Sequence, residues 1–240
     1  MEKSACAILL FLLSSARYSL QLDCADMKGF NQVQQWNEDF VVEWIEAMIA
    51  CGNDMDSNQI IQLVVQQGFL KVVKILLERG ADVNATETNS GKTVLMVAVI
   101  HGYKDIAALL IEKGANINAF DKDGRTALIY MAMYGRKEIA DLLIANAANI
   151  NAFDKDGYTA LMYAANFGKK EIADLLLGTD DVDVNVKNNN GNTALILAVN
   201  DGHNSVATSL LEDLSIDVNA KNHAGDTALI LAAQFGYNSV

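Results

Sequence analysis

Proline is absent from all 240 residues, so no helix here can use the preset φ of a proline in its first turn and each must start by other means. Basic side chains are scarce. Eighteen Lys and Arg stand against thirty Asp and Glu, and the net charge of −12 works against nucleic-acid binding, which needs clustered cations against phosphate, so no nucleic-acid partner is expected. A basic or neutral protein surface is the better electrostatic match. Cysteine is rare too: Cys6, Cys24 and Cys51 lie in the first quarter, with neither zinc-site spacing nor the density of a disulfide scaffold. The three histidines, His101, His203 and His223, have no metal-ligand spacing to one another or to cysteine. Beyond the N-terminus no stretch is long and uncharged enough to span a bilayer, which takes about 20 apolar residues. What is abundant is apolar material, 51% of the chain, enough for a continuous core.

Met1-Glu2-Lys3 precedes an apolar run from Ala5 to Leu13 and then Ser14-Ser15-Ala16, a small-x-small pattern suited to signal peptidase. Residues 1–16 are therefore expected to be a signal peptide and the protein to be exported. The alternative is a buried N-terminal helix in a cytoplasmic protein. After cleavage Cys24 and Cys51 would remain as a candidate disulfide pair. Residues 17–55 read as a helical capping region, because Phe40-Val41, Trp44-Ile45 and Met48-Ile49 recur every four residues with Glu43 and Glu46 between.

A period then emerges. Thr93, Thr126, Thr159, Thr193 and Thr227 are spaced by 33, 33, 34 and 34 residues, and each is followed nine residues later by Gly102, Gly135, Gly168, Gly202 or Gly236. That fixed length fits a helix of about two turns. A second segment in each copy carries i, i+3, i+4 stripes: Ile106, Leu109, Leu110; Ile139, Leu142, Leu143; Ile172, Leu175, Leu176. Lys137, Glu138 and Asp141 lie between them, so one face is dry and the other wet. Gly80 and Gly114 stand at helix C-termini, where Ala147 replaces glycine in the next copy. Asp121-Lys122-Asp123-Gly124 and Asp154-Lys155-Asp156-Gly157 read as turns.

A turn ending in Gly, then Thr-Ala-Leu, a helix, Gly, a helix with Leu-Leu, and Gly-Ala-Asn-Ile-Asn-Ala together resemble the ankyrin repeat. The resemblance covers about residues 56–240 and implies an all-α ankyrin-repeat solenoid of stacked helix-turn-helix units with β-turn or hairpin connections. Its copies fall at 56–85, 86–119, 120–152, 153–186, 187–220 and a shortened 221–240. The first is degenerate, with Gln59 where Thr would stand, which suits an N-terminal cap. The family's Thr-Pro-Leu-His reads Thr93-Val94-Leu95-Met96, Thr126-Ala127-Leu128-Ile129 and similar, so its Thr-His bonds are missing. Burial of Ile or Met in place of His is expected to return about 1.5–3 kcal/mol per side chain. Gly236 to Val240 aligns with Gly202 to Val206, so the last copy lacks most of its second helix. A longer array, a partner or a second copy is expected to cover that end.

Several chemical motifs fail on inspection. Gly91-Lys92-Thr93 ends like a phosphate loop, but the first glycine of that motif would fall on Thr86, and Lys92-Thr93 is in register with Arg125-Thr126. The Asp-Lys-Asp-Gly turns resemble a calcium loop whose required Glu would fall on Tyr130 and Tyr163. No nucleophile, base or metal constellation breaks the repeat register. The expectation is no catalytic residue, no cofactor and no small-molecule substrate.

The resemblance implies a protein–protein interaction module that uses turn tips and first-helix ends as a concave face. Carried over copy by copy, the turn positions are Lys92, Lys122, Arg125, Lys155, Tyr158 and Asn192. The helix-end positions are His101, Met133, Tyr134, Asn166, Phe167, Asn200, Asp201 and Phe235. Tyr134, Phe167, Arg125 and Tyr158 form the expected centre, since exposed aromatics beside polar neighbours make good anchors. The competing reading of the aromatics is mutual packing that only shields the stack. The competing readings of the chain are a purely structural or capping stack within a longer protein, and the targeting or substrate-recruiting domain of a longer protein whose catalytic part lies beyond residue 240.

Overall fold

A computed structural model describes residues 57–237 together with Glu38, Val41 and Val42. The signal-like segment 1–16, the three cysteines and nearly all of the amphipathic helix expected near residues 40–49 lie outside the described residues. Among the described residues there are eleven helices and no strands, and the chain divides into two compact units, Met1–Ala85 and Thr86–Val240.

The first unit contains α1 (Ser57–Gln67) and α2 (Leu70–Glu78). They pack as an antiparallel pair about the Gly68 turn, burying Ile61, Val64 and Val65 of α1 and Val72, Val73 and Leu76 of α2. Helix α2 has no side-chain cap of its own. Instead the Glu38 carboxylate accepts the Lys71 N–H, placing negative charge at the positive end of the helix. The buried Gln62 amide donates to the Ala85 carbonyl at 2.7 Å.

The second unit repeats one motif. Its first helices are α3 (Val94–His101), α5 (Ala127–Tyr134), α7 (Ala160–Asn166), α9 (Ala194–Asn200) and α11 (Ala228–Phe235). The second helices are α4 (Lys104–Glu112), α6 (Lys137–Ala145), α8 (Lys170–Leu177) and α10 (Asn204–Leu211). Each first helix packs on the next first helix, each second helix on the next second helix, and the two of a copy on each other. Chemistry decides the layers. The first helices are apolar all round, with Ala127 through Ala132 buried without a break, so they can only lie inside. The second helices bury one stripe, such as Ile139, Ala140 and Leu143, and turn Lys137, Glu138 and Asp141 to water. This is an all-α repeat solenoid.

Threonine does the work that proline does not. Thr93, Thr126, Thr159, Thr193 and Thr227 each cap a first helix, the hydroxyl accepting the backbone N–H three residues on at 3.2–3.3 Å. Such a cap contributes about 1 kcal/mol. In the first of these helices the Met96 sulfur accepts the Thr93 N–H at 3.4 Å, closing a reciprocal box. Ile129 and Met162, which replace the family's histidine, are buried to within 1% exposure.

Two hydrogen-bond ladders join successive copies. Asn118, Asn151 and Asn185 each donate to a carbonyl of the next copy (Ala147, Asp181, Ser215) and accept an N–H from it (Asn149, Asp183, Asp217) at 2.7–3.1 Å. At the turn tips the N–H groups of Lys122, Lys155, Asn189 and His223 donate to Ser90, Asp123, Asp156 and Asn190 of the preceding copy at 2.9–3.0 Å. Gly191 shows how tight this second ladder is: φ is +77°, and a Cβ there would lie 2.8 Å from the His223 ring and 2.9 Å from its backbone nitrogen.

Ala147, the exception at the helix C-terminal position, adopts a left-handed φ of 61°. A Cβ in that region costs roughly 1–2 kcal/mol. Ala147→Gly is therefore expected to stabilise the protein by about 1 kcal/mol, read as a higher urea midpoint at unchanged m-value. In the last copy Leu229 and Ile230 are 72% and 41% exposed, whereas Leu195 and Ile196 at the same register are 2% exposed beneath the following helix.

Candidate protein-binding face

The Thr cap starts each first helix and about two turns later its last residue emerges at the edge of the stack. In α5 that residue is Tyr134, 48% exposed, and at the end of α7 it is Phe167, 45% exposed. They do not rely on each other. The Tyr134 ring lies 6.3 Å from Tyr130 and the Phe167 ring 6.0 Å from Tyr163, one helical turn below in the same copy, and Tyr163 in turn lies 5.1 Å from Tyr158. Each exposed ring therefore rests on a buried one.

The buried rings are themselves held by hydrogen bonds that sequence reasoning missed. Tyr130 donates to Asp121 Oδ2 at 2.5 Å and Tyr163 to Asp154 Oδ2 at 2.6 Å. The other oxygen of each carboxylate closes the turn, Asp121 accepting the Asp123 and Arg125 N–H groups and Asp154 those of Asp156 and Tyr158, at 2.9–3.0 Å. Arg125 links the copies, with Nε 3.6 Å from Asp154 Oδ2 and Nη1 3.3 Å from Asp123. Burial pushes both phenols well above the usual tyrosine range, and the bonds they donate to Asp121 and Asp154 push further, against the lowering effect of Arg125. Both stay neutral donors. These carboxylates are thus committed to turn and tyrosine, and among the described residues no group of three or more His, Cys, Asp or Glu is placed to hold a metal ion.

The expected face divides by exposure. His101, Lys122, Tyr134, Lys155, Phe167, Asn200, Asp201 and Phe235 are exposed, while Lys92, Arg125, Met133, Tyr158, Asn166 and Asn192 are half-buried. Several of the half-buried group are occupied within the stack. Lys92 Nζ sits 5.8 Å over the Tyr130 ring, Arg125 spans two turns, and the Asn166 carbonyl pairs with His203 at 3.1 Å. Similarly, Arg136 grips the Ile100 carbonyl at 2.7 and 3.0 Å. Among the exposed group, Lys122 Nζ donates to the Thr88 carbonyl, and His101 stacks on Tyr103 at 5.6 Å, its pKa lowered by burial and then by Arg136. Two exposed rings that the sequence did not single out are Phe120 and Phe153, 73% and 65% exposed beside the turn tips.

The ankyrin repeats family matches the chain in three copies, over residues 34–121, 118–188 and 180–240. The chain belongs to the ankyrin-repeat family. No curated protein matches it. Ankyrin repeats are in general protein–protein interaction modules and typically carry no catalytic activity. Among the described residues of this ankyrin-repeat chain no helix is long and apolar enough to cross a membrane.

Proposed function

We propose that this chain binds a partner protein through the concave face formed by the turn tips and first-helix ends of residues 86–186, with Tyr134 and Phe167 as anchors and Arg125 and Tyr158 beside them. The observation that carries this reading is the pairing of each half-exposed ring with a buried tyrosine fixed by an aspartate. A ring held in that way loses little rotamer freedom when a partner covers it, and aromatic anchors of low ordering cost dominate interface energetics. In Tyr134→Ala/Phe167→Ala, recovery of proteins captured on the immobilised chain, quantified against the unaltered chain, is expected to fall at least about tenfold. The melting transition should stay within a few degrees. A large drop in melting temperature with unchanged capture would assign the two rings to the stack instead.

A further inference from the structure

The segments Asn118 to Gly124 and Asn151 to Gly157 repeat the same residues, Asn-Ala-Phe-Asp-Lys-Asp-Gly, at one register of successive copies. In each, the aspartate turns inward to accept the turn N–H groups and the tyrosine hydroxyl, and the adjoining phenylalanine is left outside. Phe120 and Phe153 are 73% and 65% exposed, although phenylalanine is among the residues most often buried. Both border one open hollow of about 790 Å³, with Lys122, Lys155, Gly91 and Gly124 on its walls. Asp121 and Asp154 also line it, but their carboxylates are buried and already accept three hydrogen bonds each. The charged groups this hollow shows to solvent are therefore two lysines. Lys122 uses one of its three hydrogens on the Thr88 carbonyl, and the rest remain for an acceptor.

We propose that this hollow receives an extended acidic segment of the partner protein, with large apolar side chains against Phe120 and Phe153 and Asp or Glu carboxylates at Lys122 and Lys155. The proposal rests on the protein-binding reading above and names the chemistry of the partner. It departs from what the net charge of −12 suggests, because net charge governs the far field, which is screened beyond about 8 Å at physiological salt, whereas contacts inside the hollow are set by the two lysines. The same net charge, with two lysines for the whole hollow, argues against a polyphosphate backbone, which needs a continuous basic track.

The test is selection of a displayed library of short random peptides on the intact chain, followed by anisotropy titration of the enriched peptides. Enrichment of sequences that combine Asp or Glu with Phe, Leu, Ile or Trp is expected, with affinity that falls as salt rises. Phe120→Ala/Phe153→Ala should weaken these peptides roughly a hundredfold while leaving melting unchanged, as loss of two central anchors does. Lys122→Glu/Lys155→Glu should reverse the charge preference of the selected peptides. Enrichment of basic peptides, or competition by single-stranded oligothymidine in place of peptide, overturns the proposal. So does sedimentation showing that the hollow is filled by a second copy of the chain. Peptides lost on Tyr134→Ala/Phe167→Ala but unaffected by Phe120→Ala/Phe153→Ala overturn this proposal alone and leave the binding face standing. Peptides indifferent to both pairs overturn both.

Discussion

Replacing Asp154 by alanine is expected to lower the unfolding free energy by about 3–5 kcal/mol, the cost of removing one partner from a buried charged network. Its side chain is 1% exposed, and it serves the Asp156 and Tyr158 N–H groups, the Tyr163 hydroxyl and the Arg125 guanidinium. All four lose an acceptor that is itself buried. The chain itself supplies the control. One copy later Asn188 holds the same turn position, its Oδ1 accepting the N–H groups of Asn190 and Asn192, and Leu197 stands where Tyr163 does. Asp154→Asn keeps the turn bonds but sets an amide N–H₂ against the Tyr163 hydroxyl and Arg125. Asp154→Asn/Tyr163→Leu reproduces the native Asn–Leu pairing and should recover part of the loss. The cycle, measured by urea unfolding, is expected to show a coupling of at least about 1 kcal/mol between the two positions. Strict additivity would mean that Tyr163 draws its place from packing and not from the carboxylate.

The same network makes the fold sensitive to alkali. Tyr130 and Tyr163 have pKa values raised in the folded state, first by burial and then by donation to Asp121 and Asp154. Above the ordinary tyrosine value of 10.0, the unfolded chain releases protons that the native chain retains. The unfolded state then binds fewer protons, and stability falls as pH rises. The decline approaches about 1.4 kcal/mol per pH unit for each such tyrosine, with no contribution from either below that range. Tyr158, also raised by burial, adds to it. Urea midpoints measured from pH 8 upward should drop steeply past about pH 10. In Tyr130→Phe/Tyr163→Phe the midpoint should start lower, because Asp121 and Asp154 each lose a donor, yet fall less on the way up. An equally steep fall in that variant would place the alkaline sensitivity elsewhere, with Tyr158 the first candidate.

How much could be read from the sequence follows from range along the chain. The Thr caps, the glycine nine residues later, the i, i+3, i+4 stripes and the Asp-Lys-Asp-Gly turns are interactions within about ten residues, and each recurs in place. Repetition turned these weak local signals into a fold, since every copy tests the same pattern again. The candidate face was readable only as a set of positions. Tyr134 and Phe167 were placed at helix ends by register alone, whereas the buried tyrosines beneath them required coordinates. A trace of that arrangement was present: Asp and Tyr occur together nine residues apart in two copies, and Asn with Leu in the two after them.

By itself, then, the sequence determined the period, the helix starts and stops, the inner and outer layers and the family, because backbone hydrogen bonding and apolar periodicity act between near neighbours. Only the tertiary structure decided which polar side chains are spent inside the stack and which meet solvent. Arg125 meets Asp154, Asn118 meets Ala147 and Asn149, and Lys122 meets Thr88 across roughly a full repeat of chain. Phe120 lies outside while Asp121 beside it lies inside, a reversal of what hydrophobicity alone would assign. The cause is that the turn's unpaired N–H groups and the tyrosine hydroxyl need that carboxylate as acceptor, and once it points inward the backbone aims the preceding ring at solvent.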